Sequence, residues 1–230
     1  MKLSNWLLLL CAAKWRLFPY DSKRFLIFAH MSRYVEKVSK RSWFRYFLGL
    51  VVRWKQHFKY DLAVRIARNR GASVGEGVVM PMSLARKANS NLRIGNHVSI
   101  QTDAIDLRSP VEIGNSVIIG SETEIITTSH NIDSLEWEHK HYGIVISDYV
   151  WIPTHVMVLP SCRCIGYGAV VGSGSVVVRN VDAMSVVGGN PAKEFKKRSC
   201  VHSNLCVEEL LGGDFRNYVA ARKFNRSNNL

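Results

Sequence analysis

The sequence predicts a mainly β solenoid, with a basic helical segment before it and a short helical tail after it. Three observations carry this expectation. Between Ile94 and Val181 a six-residue phrase recurs eleven times, each an Ile or Val followed four residues later by a small or β-branched residue. Residues 1–70 contain Gly only at 49 and Pro only at 19, so little in them breaks a helix. The formal net charge of +13 also belongs to that first segment: it holds 16 Lys and Arg against 3 Asp and Glu, while residues 71–230 hold 15 against 15. The expected division is residues 1–70, 71–198 and 199–230.

The first region reads as helices over roughly 3–18, 22–38 and 42–69. Trp6, Leu7, Leu10, Trp15 and Phe18 lie among Lys2, Lys14 and Arg16, and Trp43, Phe44, Phe47 and Trp54 lie among Arg41, Arg45, Arg53 and Lys55. Such interleaving suits an anionic membrane surface. It equally suits a solvated basic face whose aromatic stripe packs on the solenoid or on a neighbouring subunit. No nucleic-acid-binding motif accompanies the charge. The apolar run Trp6 to Ala13 falls short of the ~20 residues of a membrane span, and Lys14-Trp15-Arg16 follow it at once, unlike a signal peptide. The expected location is cytoplasmic, peripheral to the inner face of the membrane.

The solenoid phrase starts at Ile94, Ile100, Ile113, Ile119, Ile125, Ile146, Ile152, Val158, Ile165, Val171 and Val177. Ile and Val are only 41 of the 230 residues, so eleven hits exceed composition even with register slips at 106, 131 and 164. A period of six fits neither an amphipathic helix nor an alternating strand. It fits a coil whose flat sides are each a short strand and a corner. The first residue stacks on its counterpart one coil away, the fifth must be small near the corner, and Gly at the second position is expected to relieve the turning backbone. Cys162 takes an inward fifth position, and five cysteines without a paired pattern suit structural thiols in a reducing compartment. Cys162 and Cys164 have no second pair or spaced His to complete a metal site, and His97 and His130 lack the third ligand of a zinc site.

The repeat breaks once at length. Ile125 and Ile146 are separated by 15 residues more than the expected six, and the break follows Ser129-His130-Asn131. Segments thrown out of a rigid solenoid commonly build sites. A lone His is more often structural, but His130 stands at a corner where its side chain can leave the core.

The stretch Val111 to Arg198, with Ile113-Gly114-Asn115-Ser116-Val117, Val150-Trp151-Ile152 and Gly189-Asn190-Pro191-Ala192-Lys193, resembles the hexapeptide-repeat acyltransferases, nearest their galactoside, maltose and polysaccharide O-acetyltransferase branch. The likeness covers residues 74–198. It implies a left-handed parallel β-helix, a homotrimer, acetyl-CoA as cosubstrate, no metal, and His130 as the essential base. By the same resemblance Trp151 and Thr154 lie near the thiol end of CoA, Gly172 and Ser173 line the pantetheine path, and Arg179, Lys193 and Lys196, with Lys197 and Arg198 adjoining, face the phosphates. Asp106, Asn131 and Trp137 are expected to hold the acceptor. Pro153 departs from the family, whose Gly there keeps an amide donor that Pro lacks.

The function expected is acetyl-CoA-dependent O-acetylation of a sugar or polysaccharide precursor by direct transfer. Two alternatives stand beside it: N-acetylation of an amino sugar nucleotide, and a non-catalytic trimeric scaffold. Helical spacing in Val207 to Leu211 and Phe215 to Phe224, around Gly212-Gly213, predicts a tail that caps the open end of the solenoid, with disorder beyond Asn225.

Overall fold

The computed structural model describes residues 32–227, so the helix expected at 3–18, the start of the next and the chain beyond Ser227 lie outside the described residues. Helix α1 spans Ser32–Ser39 and α2 spans Trp43–Asn69, the latter opened by Ser42, whose hydroxyl accepts the Arg45 amide at 3.4 Å. Strands then follow one another around three parallel sheets. The first sheet holds β1 (Ser73–Val74), β2 (Leu92–Ile94), β4 (Val111–Ile113), β9 (Ile144–Ile146) and β12 (Cys164–Ile165). The second holds β3 (Ser99–Ile100), β5 (Ile118–Ile119), β10 (Trp151–Ile152), β13 (Val170–Val171) and β15 (Ser185–Gly189), with β16 (Ala192–Lys197) turned back antiparallel on its edge. The third holds β6 (Glu124–Ile125), β11 (Met157–Val158) and β14 (Val176–Val177).

Each strand pairs with the one a full coil later. Ile94 stands against Ile113 and Ile146 against Ile165, nineteen residues apart, so three six-residue phrases and one extra residue make a coil. That extra residue is the slip seen near 106 and 164. All eleven leading aliphatic residues are buried, in one core that runs from Ala63 to Val187. Where the first coil would place its third strand, helix α3 (Met82–Lys87) buries Leu84 and Ala85 instead.

Two expectations need correction. Nine of the fifth-position residues are buried, but Ala104 and Ser129 are exposed. At the first the slip brings Ile105 inward to bridge Ile125, and at the second the chain is already leaving the coil. The second-position glycines do not turn the backbone. A Cβ on Gly114 would come 2.7 Å from the Asp148 amide nitrogen, and one on Gly120 2.7 Å from that of Thr154, so Gly is there because successive coils approach too closely for a side chain. The left-handed backbone falls two residues later, at His97, Ser116, Glu122, Tyr149 and His155.

The tail does not close the far end of the coil. Arg198 donates to the carbonyls of Tyr149 and Gly168, His202 to that of Ser116, and the chain runs back to the first coils. There the 3₁₀ turn Val207–Leu211 meets His97 through Glu208, and α4 (Phe215–Ser227) packs with α1 and α2 around Tyr34, Tyr46 and Tyr218. Arg53 of α2 pairs with buried Asp214 at 2.9 Å and lies over the Tyr218 ring. The tail thus covers the N-terminal end, where α2 already contributes Ala63, Val64 and Ala67 to the coil's core.

The His97–Glu208 contact, 2.6 Å, makes this docking pH-dependent. The hydrogen bond that His97 Nδ1–H donates to the Glu208 carboxylate raises the His97 pKa, against an opposing effect of burial. A raised folded-state pKa contributes stability that is complete below the unfolded value of ~6.5 and is lost as pH rises through the folded value. Urea unfolding across this range should therefore show wild type minus His97→Gln stability shrinking as pH rises above about 6.5. A difference independent of pH would refute the contact's role.

Candidate active site

The long break in the repeat is an antiparallel hairpin, β7 (Thr128–His130) with β8 (His139–His141), projecting where the third sheet gives way to the first. His130 ends β7 opposite His139. Its Nδ1 lies 2.8 Å from the Trp137 carbonyl oxygen. A carbonyl can only accept, so Nδ1 carries the proton and Nε2 presents a lone pair when the ring is neutral. The ring has two aromatic neighbours, stacked on Trp137 with centroids 5.3 Å apart and tilted against His139 at 4.2 Å.

Asn131 builds this arrangement rather than standing free. Its amide and side chain bond to Glu138, the latter at 2.6 Å, which closes the hairpin and aims the Trp137 carbonyl at His130. The Asn131 bond, then one from Ser134, pull the Glu138 carboxyl down to about 2. Trp137 itself takes a left-handed backbone and is exposed, as are Ile132 and Leu135 at the hairpin tip.

Asp106 sits beneath the hairpin. Arg108 bonds one carboxylate oxygen through its amide and Nε, while Arg108 Nη2, the Thr127 amide and the Thr128 hydroxyl bond the other. Burial pushes this carboxyl upward, but those donors outweigh it and hold it well below the usual carboxylate range. Both oxygens are therefore engaged within the chain.

The residues matched to CoA lie elsewhere on the prism. Trp151 is half exposed on the second sheet, in one row with Val170, Val186 and Lys196, and Lys193 stands opposite Gly188 on the same sheet. Three strand spacings separate Trp151 from Lys196, about 14 Å. Among the described residues neither Lys193 nor Lys196 is in an ion pair, whereas Lys197 bonds Glu194 and Ser185, and Arg198 is committed to the tail. Thr154, Gly172 and Ser173 mark the corner between the second and third sheets, where Thr154 and Ser173 are exposed and a Cβ on neighbouring Gly174 would meet nothing within 4 Å. Arg179 is not with them: it follows β14, on His130's edge two coils on. Pro153 leaves its carbonyl to the Thr123 hydroxyl at 2.7 Å.

One exposed residue near the lysines was not singled out by the sequence. Phe195 lies exposed against Gly188, between Lys193 and Lys196 in sequence, at the bulge that shifts the β15–β16 register, so no alternation marks it. His139, which the sequence places with His141 on the extruded segment as an aid to acceptor binding, flanks His130 because the hairpin register pairs them, which the period could not show. Among the described residues no group of three or more His, Cys, Asp or Glu could hold a metal ion. Burial raises the Cys162 thiol to about 11, so this cysteine is a core residue and not a nucleophile.

The chain is similar to known acetyltransferases. Over 65 residues it is 52% identical to a chloramphenicol acetyltransferase of Klebsiella aerogenes, covering 28% of this chain and 30% of that protein. Over 146 residues it is 29% identical to WcaF of Escherichia coli K12, a protein named as a colanic acid biosynthesis acetyltransferase, covering 63% of this chain and 80% of the relative. A hexapeptide-repeat acetyltransferase of Vibrio cholerae, solved with acetyl coenzyme A, superposes with a TM-score of 0.46 at 20% identity, covering 80% of this chain and 94% of that one. No family model matches the chain. The first two relatives found are spanned over only 30% and 43% of their own lengths. The likeness to acetyltransferases that the motifs implied is borne out.

The position of Asp106 yields a test. Asp106→Asn should loosen the hairpin's base, costing ~1–3 kcal/mol in urea unfolding and lowering kcat. A rise in acceptor KM with unchanged stability would instead make it a substrate ligand.

Proposed function

We propose that this protein is an acetyl-CoA-dependent O-acetyltransferase acting on a hydroxyl of a sugar or polysaccharide precursor. The observation that carries the reading is the Nδ1–H of His130 directed at the Trp137 carbonyl, which leaves Nε2 as a basic nitrogen at the mouth of the only long break in the repeat. A sugar hydroxyl is too weak a nucleophile to attack a thioester quickly, so Nε2 takes its proton as the oxygen bonds to the acetyl carbon. The carbon–sulfur bond then breaks, and the imidazolium returns the proton to the departing thiolate. Trp137 and His139 hold the ring in place, which reduces the reorganisation needed at that step. No enzyme nucleophile enters the balance.

The second sheet suits the cosubstrate. Gly172 and Ser173 leave room for a narrow arm beside the backbone, and Lys193 and Lys196 offer unpaired cations at the end of the row that starts from Trp151. Asn131 and Asp106 act on this reading as positioning residues for the hairpin, and Trp137 offers its exposed ring to a sugar. The coil is read as a left-handed β-helix, and its location as cytoplasmic, where acetyl-CoA is supplied.

Topology supports a trimer. Within one chain His130 projects from the edge between the third and first sheets, whereas Thr154 and Ser173 lie on the edge between the second and third. One site containing both needs a second copy, and three-fold symmetry supplies three such sites around a three-sided coil. The exposed Ile132 and Leu135 at the hairpin tip gain cover in such an assembly.

His130→Ala should lower kcat by ~10²–10⁴ while acetyl-CoA affinity stays as it was. Retention of more than about half of wild-type turnover at saturation would end the assignment. Shared sites make a second expectation. Random mixing of equal amounts of His130→Ala and Ser173→Trp chains, each inactive alone, should restore about a quarter of wild-type turnover, since each mixed trimer has one intact pairing in its ring. No recovery from verified mixed trimers would place both halves of the site in one chain.

A further inference from the structure

Helix α2 is apolar on two opposite sides. Its inner side, with Tyr46, Tyr60, Ala63, Val64 and Ala67, is buried against α4 and the coil. At ~100° per residue, Phe44, Leu48, Val51, Phe58 and Leu62 form a line along the other side, with Phe47 and Trp54 beside it. All of these are exposed, Phe44 to 71% and Phe58 to 66%. A surface helix ordinarily presents polar residues here, and a contiguous apolar patch of this length marks an interaction surface.

Charge identifies what covers it. Lys55 lies within the stripe and Arg45 and Lys59 along its margin, and among the described residues none of the three is in an ion pair. The only acid on the helix, Asp61, is paired with Arg65. A second copy laid on this face would set Lys55 against like charge. Residues 1–31 hold five Lys and Arg against one Asp, so they too lack the counter-charge. An anionic lipid surface supplies it over the whole length of the helix, about 40 Å. No described helix is long and apolar enough to cross a membrane, so α2 would lie along the surface.

We propose that the outer face of α2 docks on an anionic phospholipid bilayer, with its aromatic and aliphatic line at the acyl-chain boundary and Arg45, Lys55 and Lys59 among the head groups. The coil then stands on the membrane with α2 between them. This inference does not depend on the acetyltransferase reading.

The test is co-sedimentation of the full chain with vesicles of phosphatidylcholine, alone or mixed with phosphatidylglycerol. Binding should require phosphatidylglycerol and weaken as salt rises. The double variant Phe44→Glu/Phe58→Glu, and separately Lys55→Glu/Lys59→Glu, should each lose roughly tenfold or more in vesicle affinity. Because all four side chains are exposed, circular dichroism and sedimentation of the free protein should not change. Failure of the full chain to bind the mixed vesicles would overturn the proposal. So would binding indifferent to both double variants, which assigns it to another segment, or a change of oligomeric state in the variants, which makes the stripe an interface between copies.

Discussion

The distance between successive coils is the constraint on which everything else rests. Strands of two or three residues cannot hold a sheet together by themselves, so the coil is stable only if the buried rows of Ile and Val stack without gaps. That stacking draws the corners together until a Cβ at Gly95, Gly114, Gly120 or Gly166 would collide with the next coil. The corners then satisfy their amides sideways. Asn96 Oδ1 accepts from the Glu76 amide, Asn115 Oδ1 from that of Asn96, and Asp148 Oδ1 from that of Asn115, a ladder along one edge that joins coils distant in sequence. A coil so tightly specified leaves no interior room for a substrate. Chemistry has to sit on the outside or where the coil is interrupted.

The period was legible because stacking acts on residue type at fixed spacing, and the leading row named from sequence is buried throughout, as are nine of the eleven fifth positions. What the period could not convey was anything set by pairing across the break. Residues 128–141 carry no alternation that announces a hairpin, since Thr128, Ser129 and His130 face His141, Lys140 and His139, all polar. Their register comes from Asn131 and Glu138 closing the turn and from Asp106 fixing Thr127 and Thr128 below. Hence His130 could be singled out by its place at the break, while its tautomer and its pairing with His139 could not. The reversal of the tail was hidden for a similar reason. Arg198, His202 and Glu208 bond to partners 30 to 111 residues away, and no local pattern signals such contacts.

The tail's return explains a feature of α2. A helix that closes one end of a coil needs one apolar side, yet Tyr46 and Arg53 of α2 are held by Tyr218 and Asp214 of the returning tail as firmly as Ala63 and Ala67 are held by the coil. The inner side is thus fully used by two separate partners along its length. The aromatic residues on the outer side cannot be explained as surplus core, because no further part of the described chain reaches them.

The same accounting bears on which edges of the coil stay open. The hairpin and Arg179 share one edge of the prism, Thr154 and Ser173 mark another, and α2 with α4 covers the end from which the first coil starts. Pro153 removes one amide donor at the second edge, and its carbonyl is already taken by Thr123. Further along that corner the Gly174 amide donates to the Thr154 carbonyl at 3.3 Å, while the position itself is open and left-handed at φ +70°. Pro153 thus takes a donor from the corner without filling the space beside Gly174.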